Sequence, residues 1–598
     1  MGWLVIAEKE QAGEKIAKAL NCTEKTLNNI TYWENKDYTV VPARGHLLKV
    51  WLRGLNARID RIKLPLFNYY WKETEQKRLS VMAELFKECD DVIVATDWDR
   101  EGEVIGERIY AFLKNKLSSY HLPMRAYMPS LTAKDIVKAF NNLRRMDETL
   151  LTQGTARNIA DAIIGLNLTK AVTKVFKVEL GYEDISIAIS MGRVRNPVLA
   201  YIVRETKTDI ELKSKEGIEL KYGTERVYIE TPIGLIHAPQ EFKNYDYCEL
   251  VRYENKTREK RQAEELPDTY AVQTDLPFDP EYTINLLEQM YLNELITYPR
   301  TESTHAPKHV LIELEELFKK NGLLQSNNFS YKYCPHGTPE GDKLPILPTE
   351  IGIEHYMKNK LSLAEKVVMN YLIERVNRAF APPLKIEKKI AIFKAGDVEF
   401  RKTWCIDVKN KEDVVGTIDI EVREDIPLGK YKIVKFKTEE YRTKCIFGGS
   451  SFSVDKLKSK DVVDWMVRNQ LGTDATRHEY VTELKKCKYI DEELMPTRLG
   501  MKITKLVEHI NLGDSYLTAE MEKRIRNLEK LEDLKSFEDW LRDVTIELVN
   551  AVEGYDSDAL RFTCPHGHSA TLNARRDNRT GEKFIWLYCP KCGKSYPI

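Results

Sequence analysis

The string Ala95-Thr-Asp-Trp-Asp-Arg-Glu-Gly-Glu103 carries four carboxylates, Asp97, Asp99, Glu101 and Glu103, directly after the apolar run Val92-Ile-Val-Ala-Thr96. In an extended segment residues i and i+2 point to the same side, so Asp97 and Asp99 can converge. Glu101 and Glu103 then open a helix, where acidic side chains suit the N-terminal dipole. Glu8 stands just past a second buried strand, Trp3-Leu-Val-Ile-Ala7. If the sheet is parallel, both strand ends meet at its carboxyl edge, where open α/β sheets place their ligands. Carboxylates gathered there repel one another unless a hard cation such as Mg²⁺ sits among them. The competing reading is a solvated helix start, which acidic residues commonly form.

A second candidate is Ile296-Thr-Tyr-Pro-Arg-Thr301. A helical pattern through Ile284, Leu287 and Tyr291 runs into it, and Pro299 forbids the helix to continue. Tyr298 and Arg300 are i and i+2, so phenol and guanidinium face the same way. A phenol is a poor nucleophile at neutral pH, and a neighbouring cation would favour its phenolate and bind a phosphate. Taken alone, the string reads by default as a Tyr-Pro loop with an incidental arginine.

The third candidate lies in the tail. Cys589-Pro-Lys-Cys592 supplies half of a tetrahedral site and Cys564 a third thiolate. Gly567 occupies the place of a fourth cysteine, so His566 or His568 must complete the set. The alternative is an unmetallated tail. Seven basic against two acidic residues from Arg561 onward, with Phe584, Trp586 and Tyr588, suit contacts to a single nucleic-acid strand. The aromatic rings can equally pack the tail.

The elements that must position these groups read as several domains, since 598 residues exceed one hydrophobic core. Residues 1–150 alternate short apolar runs with helices, including one that places Ile105, Ile109, Phe112 and Leu113 on one face. Residues 151–206 are helical. Strand-like alternation at 217–237 and 386–437, as in Val227-Tyr-Ile229, flanks a helical block at 280–383. Asn255–Glu265 and Gly448–Ser451 read as connectors, and 453–550 returns to helices. This order suggests a middle inserted into domains whose halves are distant in sequence.

Composition excludes more than it assigns. With 42% hydrophobic and 31% charged residues the chain is neither collagen-like nor disordered. No apolar run approaches a membrane span, and the charged opening does not read as a signal peptide, so the expectation is an intracellular protein. Lysine plus arginine (92) balances aspartate plus glutamate (92), so bulk charge decides little about nucleic-acid binding. Ten cysteines form no disulfide framework.

Together these strings resemble a type IA DNA topoisomerase over nearly the whole chain, closest to the topoisomerase III and archaeal branches. Glu8-Lys9 resembles the opening of the Toprim domain. The Ala95–Glu103 string resembles its second acidic motif, with Trp98 where proline is frequent. Ile189-Ser-Met-Gly-Arg-Val-Arg-Asn-Pro197, Leu295–Ser303, Tyr371–Phe380 and Gly472–Arg477 through Ile490 resemble later segments in the family's order. One departure is Lys343, in Gly341–Thr349, where the family has a histidine; His336 nearby is a possible spatial substitute or a surface residue.

The resemblance implies a multidomain α/β plus α and β chain with a toroidal fold. Its parts would be a Toprim domain at 1–150 and a helical base at 151–206 with 453–553. A β-rich hinge would follow at 207–268 with 384–452, then a tyrosine-bearing helical domain at 269–383 and a zinc-ribbon-like tail at 554–598. It implies Tyr298 as nucleophile, attaching to a 5′ phosphate and releasing a 3′ hydroxyl without ATP. Arg300 and Lys9 would stabilise charge on the phosphate, and Glu8 would assist proton transfer to the 3′ oxygen or, when deprotonated, ligate the metal. Asp97, Asp99 and Glu101 would hold Mg²⁺. It implies DNA contacts from His46, Ser190, Gly192, Arg193, Arg195, Lys343 and Arg477, and one Zn²⁺ in the tail. The implied partner is single-stranded or underwound DNA, and the implied setting a cytoplasmic, nucleoid-associated monomer with no membrane contact. Two alternatives stay open: a weakly catalytic or non-catalytic DNA-binding scaffold, prompted by Lys343, and a Toprim nuclease using the acidic cluster alone.

Overall fold

The computed structural model describes residues 2–114, 122–182, 185, 187–207, 211–222, 247–260, 262, 265–334, 343–416, 428–443, 457–473, 476–577, 579–580 and 582–598. Val227–Ile229, His336 and Gly448–Ser451 lie outside them.

The N-terminal region forms a seven-stranded sheet. Its order is Thr23–Leu27, Ile30–Glu34, Tyr38–Pro42, Gly2–Ala7, Cys89–Ala95, Met124–Arg125 and Arg144–Arg145. Gly2–Ala7 runs parallel to both neighbours, with Leu4 opposite Val92 and Ala7 opposite Ala95. Both faces of these central strands are covered, which is why they read as unbroken apolar runs. Leu4, Ile6, Val92 and Val94 pack with Ile105 and Ile109 on one side. Val5, Ala7, Ile93 and Ala95 pack with Ile16, Ile136 and Phe140 on the other. The register leaves Glu8 and Asp97 beside each other at the carboxyl edge.

The helix Glu148–Lys174, capped by Asp147 through Leu150 N, leads into a helical layer. Its Ile163, Ile164 and Leu168 share one core with Leu199 and Ile202 of Arg195–Lys207, Leu506 of Arg498–His509 and Leu541 of Leu534–Glu553. Leu572, Ala574 and Leu587 of the C-terminal four-stranded sheet join the same core.

From this layer the chain passes through an antiparallel five-stranded sheet. The strand order is Glu211–Tyr222, Gly429–Thr443, Tyr247–Lys260, Leu384–Ala395 and Val398–Val408. The charged Asn255–Lys260 is therefore strand rather than connector, with Lys256 opposite Lys388. Its side chains are exposed, so here nothing forces the sheet into the apolar alternation that marks a strand in sequence. Between the sheet's halves lie the helices Thr269–Asp275, Pro280–Leu292, Lys308–Lys320, Glu350–Met357 and Leu363–Phe380. They have a core of their own around Leu287, Leu311, Phe318, Leu372 and Phe380. Among the described residues no helix is long and apolar enough to cross a membrane.

Candidate active site and metal centre

Strand Cys89–Ala95 ends in a tight turn into the helix Arg100–Leu113. Asp99 caps that helix, its Oδ1 accepting from Gly102 N at 2.8 Å. Gly102 is required by close approach: a Cβ there would stand 2.0 Å from the Asp97 carbonyl oxygen. Arg125, fully buried, braces the turn from below. Its guanidinium donates to the carbonyls of Thr96 and Asp97, each at 2.7 Å, and to Glu103 Oε1 at 3.0 Å. Glu103 is thus neutralised inside the fold and does not join an acidic surface, contrary to the pattern of four clustered carboxylates.

The other carboxylates are also engaged. Glu8 Oε2 accepts from Asp97 N at 3.2 Å, and Asp97 Oδ2 accepts from Lys9 Nζ at 2.8 Å. Asp99 Oδ2 accepts from the Tyr298 hydroxyl at 2.6 Å. Glu101 is the most open of the set, with His46 Nε2 3.7 Å from its Oε2. Burial, followed by the charges of Asp97 and Asp99, pushes Glu8 well above the ordinary carboxyl range. Burial also raises Asp97, and Lys9 offsets only part of that rise. Burial works the same way on Asp99, but Lys343 and Arg300 outweigh it and hold the carboxyl low. Lys343 thus lies near enough to favour the charged form of Asp99.

Tyr298 arrives from the helical block on an extended segment. Thr297 anchors it, donating to Pro345 O at 2.7 Å and accepting from Leu347 N at 2.8 Å. Tyr298 N donates to Pro129 O of the sheet region at 2.8 Å, and its ring stands edge-on to Tyr291. The phenol is 5% exposed. Burial and then Asp99 and Asp97 push it well above 10, and Arg300 lowers it too little to compensate. The expected phenolate is thus not what this arrangement favours, because burial and the neighbouring acids outweigh the arginine. Arg300 lies with its Nε 2.7 Å from Glu288 Oε1, and Lys9 reaches Glu288 Oε2 at 2.5 Å. Glu288 is the hub of both cations. Its sequence signal was slight: a charge beside Leu287 and Tyr291 on the buried face of a helix.

A cavity of about 870 Å³ opens beside these groups, lined by Asp99, Glu101, Arg100, Arg157, Arg300, Lys343 and Arg526 among others. Arg157 and Arg526 were not singled out in the sequence. Several expected phosphate contacts turn inward instead. Arg193 is 2% exposed, its Nε bound to Asp161 at 2.6 Å and its Nη1 to Glu522 at 2.8 Å. Arg477 donates to the carbonyls of Leu471 and Gly472. Arg195 donates to Met191 O at 3.0 Å and lies 3.5 Å from Glu483. Each sits at or just before a helix start, largely out of water, where an unpaired guanidinium would be costly. Ser190 offers its carbonyl to Tyr489, and Gly192 N points to Asn196 Oδ1.

The residues at the sheet edge form an oxygen-only donor set. Asp97 and Asp99 disfavour the charged form of Glu8, and Asp99 that of Asp97, which a hard divalent cation would relieve. At the C-terminus, Cys564, His568, Cys589 and Cys592 place their ligand atoms within 4.8 Å of one another, the sole group of that kind among the described residues. His568 Nδ1 lies 3.2 Å from Cys592 Sγ, and His566 is exposed and outside the group. Gly567, at φ 78°, makes the left-handed turn that brings His568 back under Cys564. This cluster could hold a metal ion.

The Toprim domain model matches residues 3–129, and the model described as DNA topoisomerase matches residues 145–535. DNA topoisomerase 1 of Methanocaldococcus jannaschii is 25% identical over 641 residues, covering 99% of this chain and 78% of the relative. DNA topoisomerase 3 of Staphylococcus saprophyticus is 24% identical over 658 residues, covering 99% and 85%. Full-length topoisomerase I from Thermotoga maritima shares the fold, with a TM-score of 0.62 at 19% identity over 100% of this chain and 97% of that one.

Proposed function

The chain belongs to the DNA topoisomerase family, and on that premise we propose that it is a type IA enzyme that cuts one DNA strand through Tyr298 and reseals it. The observation that carries this reading is the 2.6 Å contact between the Tyr298 hydroxyl and Asp99. It brings a nucleophile and an acidic site from separate parts of the chain to one point.

In the cleavage step the Tyr298 oxygen attacks phosphorus, the phenol proton passes along its hydrogen bond to Asp99 Oδ2 and on to water, and the bond to the 3′ oxygen breaks. Glu8, its carboxyl pushed well above the ordinary range by burial and by its acidic neighbours, supplies the proton that the departing 3′ oxygen takes. Arg300 and Lys9 exchange part of their hold on Glu288 for the non-bridging oxygens, where charge grows as phosphorus becomes five-coordinate. Asp97, Asp99 and Glu101 would hold Mg²⁺, which supplies charge neutralisation at the phosphate. Resealing reverses these transfers. The phosphotyrosyl ester conserves the bond energy, so no ATP is needed. Single-stranded or underwound DNA would enter the cavity whose lining includes the cations Arg100, Arg300 and Lys343. Zn²⁺ fits the Cys₃His set at the C-terminus.

The test is detergent quenching of the parent and a Tyr298→Phe variant on labelled single-stranded DNA with Mg²⁺. The expected result is a covalent adduct on the 5′ side of the break for the parent alone. Free ends without adduct would support a nuclease, and binding without cleavage a scaffold.

A further inference from the structure

The chain leaves the acidic site through His46, which stands 3.7 Å from Glu101, and enters a two-stranded hairpin, Leu48–Leu52 with Tyr69–Glu73. Thr74 closes its open end, donating through its backbone to Leu47 O at 2.8 Å and through its hydroxyl to His46 O at 2.9 Å. Val50 and Leu52 are buried in the core of the helical layer, so the alternate residues Lys49, Trp51 and Arg53 occupy the opposite face. Across from them on that face, Lys72 pairs with Lys49 and Tyr70 with Trp51. Arg53 continues the strand, its N donating to Asn68 O at 2.8 Å.

This face mixes cations with rings. Lys72 Nζ lies 4.8 Å from the centre of the Trp51 ring, and the Arg53 guanidinium 4.9 Å from that of Tyr70. Both rings are half-buried, and Lys49, Arg53 and Lys72 are exposed. Among the described residues no carboxylate pairs with any of these three cations. From Leu48 to Glu73 six basic residues stand against two acidic ones, in a chain whose net charge is zero. One of those acids, Asp60, is already held by Arg58 at 2.9 Å. A cross-strand ring pair alone serves to stabilise a hairpin. It does not call for three exposed cations around it without an acid, an arrangement that favours a polyanion.

We propose that the outer face of this hairpin binds the single DNA strand beyond the cavity, with Trp51 and Tyr70 stacking on bases and Lys49, Arg53 and Lys72 meeting phosphates. Taking DNA as the ligand rests on the cleavage reading above. Along the strand Lys49, Trp51 and Arg53 follow one another at steps of roughly 7 Å. Cation, ring, cation is an order that suits a chain alternating phosphate and base. When the DNA strand arrives, its phosphates draw Lys72 and Arg53 off the rings and bases take their places. The hairpin packs on the cores of the N-terminal sheet and the helical layer. Its hold on the strand therefore does not involve the block that bears Tyr298.

The experiment measures affinity for fluorescent oligothymidylate across a salt series, in the full chain carrying Tyr298→Phe so that no cleavage intervenes. That chain is compared with two further variants built on it, Lys49→Gln/Arg53→Gln/Lys72→Gln and Trp51→Leu/Tyr70→Leu. The charge variant should lower the slope of log affinity against log salt by about 2. The ring variant should bind about ten- to hundredfold more weakly, with its slope within about 0.5 of the starting chain's. An unchanged slope in the charge variant overturns the inference. Undiminished affinity in a folded ring variant also overturns it, and would leave the face to an acidic protein surface. If the ring variant does not fold, photocrosslinking of bromouracil-substituted DNA to the Tyr298→Phe chain decides: crosslinks at Trp51 or Tyr70 are expected, and their absence overturns the inference. A parent that forms no tyrosyl adduct in the detergent assay overturns the cleavage reading itself, whatever the hairpin binds.

Discussion

At Glu522 one carboxylate oxygen accepts from two buried guanidiniums, Arg157 and Arg193, each at 2.8 Å. Burial alone would raise this carboxyl, but the two arginines reverse the shift and bring it down to about 2. A carboxyl depressed in the fold contributes stability that is present above its unfolded value and lost as pH falls from there through about 2. The contribution at neutral pH is about 3 kcal/mol. Glu522→Gln should therefore lower unfolding stability by roughly that amount at pH 7. The gap should close as the parent is titrated toward pH 2, measured by denaturant unfolding at several pH values. A pH-independent gap would assign the loss to packing instead. Such residues were hidden in the sequence because their partners are remote: Arg157 and Glu522 are 365 residues apart, Lys9 and Glu288 are 279 apart. Tyr298, Arg300, Asp97 and Asp99 were legible because each falls in a short string with its own local geometry.

Among the elements, the central strands of the N-terminal sheet could be read directly, since burial on both faces leaves an apolar run. Asn255–Lys260 could not, since its exposed strand imposes no pattern on its side chains. The C-terminal sheet was legible through its cysteines, and geometry supplied the choice the spacing left open, His568 over His566. Metal analysis should find about one zinc per chain, lost in Cys589→Ser, because three ligands do not close a structural tetrahedral site. His566→Ala should retain it. Zinc retained in Cys589→Ser would discard the assignment. Phe584 and Tyr588 remain exposed on this sheet, with Arg575 opposite Phe584, so they are not needed to pack it.

On the scale of the whole molecule, the site is assembled across a seam between two cores. The links named across it are polar: Tyr298 N to Pro129 O, the Tyr298 hydroxyl to Asp99, Lys9 to Glu288, and Lys134 to Glu313 at 2.7 Å. Ala12 and Leu131 of the N-terminal region also pack into the core that holds Tyr298, so the seam carries a small apolar contact beside its polar links. The helical block lies in sequence between the strands Tyr247–Lys260 and Leu384–Ala395 of the five-stranded sheet. The central claim is that Tyr298 and the acidic edge act on one phosphorus atom. Its most direct test is to trap the adduct, digest the protein and map the modified peptide. The account predicts a nucleotide joined through its 5′ phosphate to Tyr298, and a link to any other residue, or through a 3′ phosphate, would contradict it.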